Sequence, residues 1–176
     1  MIPDSIHRHQ QSIARTSAIG LWGSVAFVII ASLFLLVSPW QFYPSRHTAQ
    51  WMLIAGSILA VLALSMALLV VRKHIPSLRQ ADSLDTKFAG YASHIRSVYS
   101  TLLFVVFALC AMMVLSNQNV LLMLAIVVVL FLFLSYPNIY RIKVDLGLTD
   151  DEMKLLYPDR YLPDQPDDDH PSTKES

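Results

Sequence analysis

Asp82 and Asp85 stand three residues apart, a spacing that puts two carboxylates on one helix face. A membrane-bound phosphotransferase using spaced aspartates needs more acids and glycines than surround them, and the polar face of a helix would carry this pair in any case. His7 and His9 are the nearest thing to a metal pair, but they lie in a polar N-terminal stretch and the six histidines do not cluster. Cys110 is the only cysteine, so neither an intrachain disulfide nor a Cys-x-x-Cys redox or zinc site can form. In the middle of an apolar run it reads as a small buried hydrophobe. Asp167, Asp168 and Asp169 read as a solvated tail. An enzyme here would need His94, Asp82, Asp85 and Asp145 to converge from a loop and the C-terminal segment. No catalytic residue, cofactor or metal ligand is assigned on this evidence from the sequence.

The elements that would position these groups are mostly apolar. The chain has 176 residues, 55% hydrophobic and 15% charged, whereas soluble domains carry about 25% charged residues. From Ser97 to Tyr140 no residue is charged. That stretch is too long for one span of about 20 residues. It is broken once, at Ser116-Asn117-Gln118-Asn119, and reads as two short spans, about 98–115 and 120–135, joined by a polar turn. Two further uncharged runs lie upstream, about 16–38 and 49–71. The first is too long for a signal-peptide core and is expected to remain as a span. Pro39 is placed where a helix can stop, and Trp40, Phe42, Tyr43 and Trp51 suit a water–lipid boundary.

The fold class that follows is all-α: a four-helix transmembrane bundle with a helical extension outside the membrane and short C-terminal helices. Small residues mark its seams. Gly56, Ala60, Ala63 and Ala67 share one face of the second span, and Gly20 and Ser24 form a matching pair on the first. In lipid, close backbone approach at such residues supplies the packing. Packing inside one chain's own bundle is the simpler use of this face; a homodimer seam is the alternative. The spans contain no Asp, Glu, Lys or Arg, the usual mark of ion paths and proton relays. Small multidrug transporters use a carboxylate in the first span, and thiol-oxidising four-span enzymes use paired cysteines; both are missing.

Between the second and third spans, Leu78, Ala81, Leu84, Phe88, Tyr91 and Ile95 recur at steps of three and four, which predicts an amphipathic helix. Pro76 and a capping-box pattern at Ser77 place its start, and nothing separates it from the third span. It is expected to rise from the membrane as the foot of that span. After Pro137, a short helix to Leu146 ends at Gly147. Thr149 with Glu152 forms a capping box, with Leu148 and Met153 as the staple, and predicts a helix to about Tyr157. Residues 1–15 read as a tail, and the chain from Pro163 has the composition of disorder. The apolar faces of these outer segments are expected to pack together. Leu84, Phe88, Tyr91, Ile95, Ile142, Leu148 and Met153 are the candidate interaction surface. The segment from Pro137 onward carries ten acids against five bases, which argues against nucleic acid.

Orientation comes from the basic residues. Arg46 alone lies in the first loop; the other twelve of the thirteen fall on the opposite side of a four-span arrangement. Basic residues near span ends stay cytoplasmic, so both termini are expected inside.

The segments Ala81–Leu84, Tyr91–Ser97, Tyr136–Tyr140 and Asp145–Lys154 resemble a group of small four-span membrane proteins of Bacteroidetes-type bacteria. The resemblance runs from the second span to about Tyr161. It implies a bacterial inner membrane and the same topology, and no chemistry. The expected function is a non-enzymatic membrane component that acts through its cytosolic helices on a protein partner or a second copy. A small passive transporter or channel subunit is the alternative.

Overall fold

The computed structural model describes residues 4–37, 44–81 and 83–157. Expectations for Pro39, Trp40, Phe42, Tyr43, Asp82 and the chain beyond Tyr157 lie outside them. Every regular element described is an α-helix: α1 (Asp4–Val37), α2 (Arg46–Arg79), α3 (Leu84–Ser116), α4 (Asn119–Leu134), α5 (Ile139–Leu146) and α6 (Asp150–Leu156). Three of them, α1 to α3, are long and apolar enough to cross a membrane. A fourth crossing requires α4 and α5 to count as one span bent by 77°. Alone, the 16 residues of α4 reach about 24 Å at 1.5 Å per residue, short of a hydrocarbon core of about 30 Å.

The α3–α4 hairpin forms the middle, with α1 and α2 packed on it from either side. The hairpin turns at Asn117, whose N–H makes the last helical bond, to the Met113 carbonyl, and whose left-handed backbone (φ 55°) then redirects the chain. Asparagine tolerates that conformation better than other non-glycine residues. We call the opposite end of the bundle, which carries Arg72, Arg79, Arg96 and Arg141, the basic end.

Helix α1 begins at Asp4, so residues 4–15 are not a tail. Ile6 and Ile13 are buried and share a face with Ser17, Gly20 and Ser24. His7, Arg8 and Gln11 between them are exposed, and the stretch is polar overall, which is why composition hides the helix. Farther along α1, Gly20 lies against the Tyr99 ring: a Cβ there would stand 2.7 Å from Tyr99 Cδ1. Ser24 donates to the Gly20 carbonyl at 2.7 Å, satisfying its hydroxyl inside the helix. Ser32 and Ser57 do the same to Val28 and Leu53.

The small face of α2 is used within the chain. Ala60, Ala63 and Ala67 are buried, and a Cβ on Gly56 would meet Leu121 of α4 and Leu109 of α3. The predicted helix start at Ser77 is not where the chain breaks. Helix α2 runs through Pro76 to Arg79, and Ser77 Oγ donates back to the His74 carbonyl at 2.7 Å. Proline interrupts one hydrogen bond, to the carbonyl four residues back. That residue, Arg72, is exposed, so water can serve the carbonyl. The break falls at Gln80–Ser83, and Ser83 caps α3 by accepting from Thr86 N–H at 3.2 Å. From there α3 is unbroken to Ser116, as the absence of a breaker predicts.

Candidate interaction site at the basic end

Tyr99 donates to the Leu132 carbonyl at 3.1 Å, so the last turn of α4 lies level with Tyr99. Residues 84–98 of α3 therefore extend roughly 22 Å past the end of α4. The first turns of α1 and the last turns of α2 run beside this foot. Arg96 donates to Ser12 Oγ at 3.2 Å, and His9 stands 4.0 Å from Asp85. The rings of His74 and His94 lie 6.3 Å apart. On the α2–α3 side, Leu78 covers Gly90, where a Cβ would push the leucine side chain aside.

Helices α5 and α6 close this end. Asn138 caps α5 by accepting from Arg141 N–H at 2.7 Å, and Gly147 ends it with the left-handed φ of 61°. Thr149 and Glu152 make the expected capping box, with Leu148 and Met153 both buried. Phe88, Tyr91, Ile95, Ile142, Leu146, Leu148, Met153 and Leu156 belong to one continuous core with Ile6 and Ile13 of α1. Phe88 and Met153 are 0% exposed, and Leu84 is half-buried. The apolar residues singled out from the sequence are thus occupied by each other. What faces outward from α5 and α6 is a different set, Tyr140, Val144 and Leu155, all more than half exposed.

Polar ties hold α5 in place. Arg79 donates to the Val144 carbonyl at 2.7 Å and the Asp145 carbonyl at 3.2 Å. Arg141 donates to the Leu134 carbonyl at 2.7 Å. Each guanidinium meets carbonyls that a helix C-terminus leaves unpaired, where the helix dipole also favours a cation. Tyr91 donates to Asp145 Oδ2 at 3.0 Å, and Arg141 lies 3.7 Å from the same oxygen. Burial, then the Asp145 charge, pushes the Tyr91 hydroxyl far above its ordinary pKa, so it remains a donor. Lys143 pairs with Asp150 at 2.7 Å, tying α5 to α6.

His94 shares a small space of about 20 Å³ with Tyr91, Ser135, Arg141 and Asp145, enough for one water. Burial and the neighbouring His74 hold its pKa below the usual imidazole value, with Asp145 opposing them. Of the four residues an enzyme would have needed, His94 and Asp145 come together. Asp85 lies instead beside His9, and Asp82 is outside the described residues. Among the described residues no group of three or more His, Cys, Asp and Glu could hold a metal.

A groove of about 870 Å³ opens on the outer side of this end, between α1 and the α4–α5–α6 segment. Ile13, Ala14, Ile139, Ile142 and Leu156 form its apolar lining. His7, Gln10, Gln11, Asn138 and the tyrosines 136, 140 and 157 supply the polar one. Composition gave no sign of it, because its α1 wall lies in the stretch that reads as a tail. No protein-family model, curated protein or solved structure matches this chain.

Proposed function

We propose that the chain is a four-span protein of a bacterial inner membrane with both termini in the cytoplasm. It works without catalysis, binding or scaffolding a protein partner through the subdomain at its basic end. The carrying observation is that this end is packed on a core continuous with the bundle and leaves an apolar face over. Phe88, Ile142 and Met153 are spent internally, yet Val144 and Leu155 stay exposed on two short helices, α5 tied by Arg79 and Arg141 and α6 by the Lys143–Asp150 pair. An exposed apolar patch on a rigid support is a recurrent mark of a protein contact. The polar residues nearby support the same reading, since Tyr91, Asp145, Arg79 and Arg141 are engaged in tying helices together. Between the spans, Leu102, Leu109, Met113, Leu121, Ala125 and Val128 are almost fully buried, which favours a packed scaffold over a conduit. The twelve-to-one division of basic residues and the resemblance to small four-span bacterial proteins support the orientation and the membrane.

Crosslinking and mass spectrometry in native membranes tests this reading when the face itself is varied. Val144→Asp with Leu155→Asp should abolish a specific crosslink to one partner and leave the melting temperature in detergent unchanged. A crosslink pattern identical in the wild type and this variant would refute the assignment of the face.

A further inference from the structure

The groove beside α1 has a position and a set of charges that specify an occupant. We infer that it holds the headgroup region of one anionic phospholipid of the cytoplasmic leaflet. The inference rests on the topology proposed above and is independent of the partner face on α5 and α6.

Depth is the first ground. On α1 the groove's wall ends at Ala14, and the uncharged length of that helix begins at Thr16. Its other wall begins at Tyr136, two residues past the end of α4. The groove therefore opens where hydrocarbon gives way to headgroups. The exposed apolar side chains of Ile19 and Leu134 lie immediately on the hydrocarbon side. Tyr136, Tyr140 and Tyr157 on its rim are the residue type that settles at this boundary.

Charge is the second ground. Among the described residues no carboxylate lines the groove, and His7 does. Arg8 and Arg15 are exposed and share a helix stripe with the lining residue Gln11. Asp4, the acid on that stripe, stands a turn farther from the membrane. Cations at this depth attract anionic headgroups. The Gln10 side-chain amide lies beside the Tyr157 hydroxyl in the lining of the groove.

The test uses the full-length protein in detergent with equimolar phosphatidylglycerol and phosphatidylethanolamine, followed by native mass spectrometry. One phosphatidylglycerol should be retained in preference, by roughly tenfold. Two variants should each remove the preference: Arg8→Gln with Arg15→Gln, and Ala14→Trp, which fills the groove from an exposed position. Both should melt at the wild-type temperature in lipid-free detergent; if one does not, the other decides. Equal retention of the two lipids, or a preference that survives the variants, overturns the proposal. A benzophenone side chain at position 14, activated in native membranes, should give a phospholipid adduct. A covalent dimer, an adduct to another protein, or one to the chain's own C-terminal segment overturns it as well. Recovery of the chain in the soluble fraction would instead contradict the membrane reading on which the inference stands.

Discussion

The same helices are closed by different chemistry at their two ends. At the hairpin end, Ser116 donates to the Met112 carbonyl at 2.6 Å and the Asn117 N–H to Met113. Short neutral side chains and one left-handed residue make the turn itself. At the basic end, two arginines reach across to the C-termini of α4 and α5, and Tyr91 reaches a carboxylate 54 residues away in sequence. The hairpin end is local and polar; the basic end is long-range and ionic, with a buried apolar core under it. A charge retained by its span ends on one side of the membrane is thereby available as a helix cap on that side. The basic residues on which the proposed orientation rests are in part the ones that fasten the outer helices.

Breaking the core under the basic end should have the largest effect. Phe88→Ala removes a fully buried ring and should cost on the order of 3–5 kcal/mol, read as a lower melting temperature in detergent. Amide exchange should quicken across α5 and α6 and stay unchanged at Asn117–Asn119. Uniform quickening at both ends would erase the distinction drawn here.

Next in size is the level between the two ends, where charges play no part. Ala60→Leu forces a branched side chain into the α2 seam, and overpacking costs about 1–3 kcal/mol. Leu59→Ala, at a half-buried neighbour, should cost less. Equal melting temperatures for these two variants would show that the seam is not tight.

The ionic ties can be probed singly. Tyr91→Phe deletes one donor to Asp145 without changing shape, and should cost about 1–2 kcal/mol. The loss should shrink when Asp145→Asn is already present, because the pair is then uncharged. Additive losses would mean that the two side chains do not work through each other.

The smallest effect is a pH dependence at His94. Its folded pKa lies below the ordinary value of 6.5, so the unfolded chain takes up this proton first. Its contribution is complete above about pH 6.5 and is lost as pH falls through the window below it. His94→Gln should flatten melting temperature against pH in that window. An unchanged slope would place His94 in a site that protonates as easily folded as unfolded. Tyr91, Arg141 and Asp145 face the same space as His94, and the His74 ring stands 6.3 Å from it.

Much of the scaffold was legible from local signals. The Asn117 turn, the Gly147 cap and the Thr149–Glu152 box each need only a few adjacent residues. The Gly56–Ala67 face was legible from its spacing, though not which helices it meets. Pro76 misled because its cost depends on whether water can serve the carbonyl it frees, and a sequence does not show exposure. The helical start of α1 was missed for a related reason. Ile6 and Ile13 are seven residues apart on an otherwise polar stretch, and only the neighbouring foot of α3 makes them a buried face. The groove and the arginine caps are products of that long-range packing. Arg79 and Asp145 lie 66 residues apart, beyond the reach of any local pattern.

Topology is the most direct test of the whole account, because every assignment at the basic end assumes that this end is cytoplasmic. Paired periplasm- and cytoplasm-active reporters fused after Arg46, Lys87, Gln118 and Lys154 measure it in one experiment. The account predicts outside signals at Arg46 and Gln118 and inside signals at Lys87 and Lys154. An inside signal at Arg46, or signals on opposite sides at Lys87 and Lys154, would contradict it.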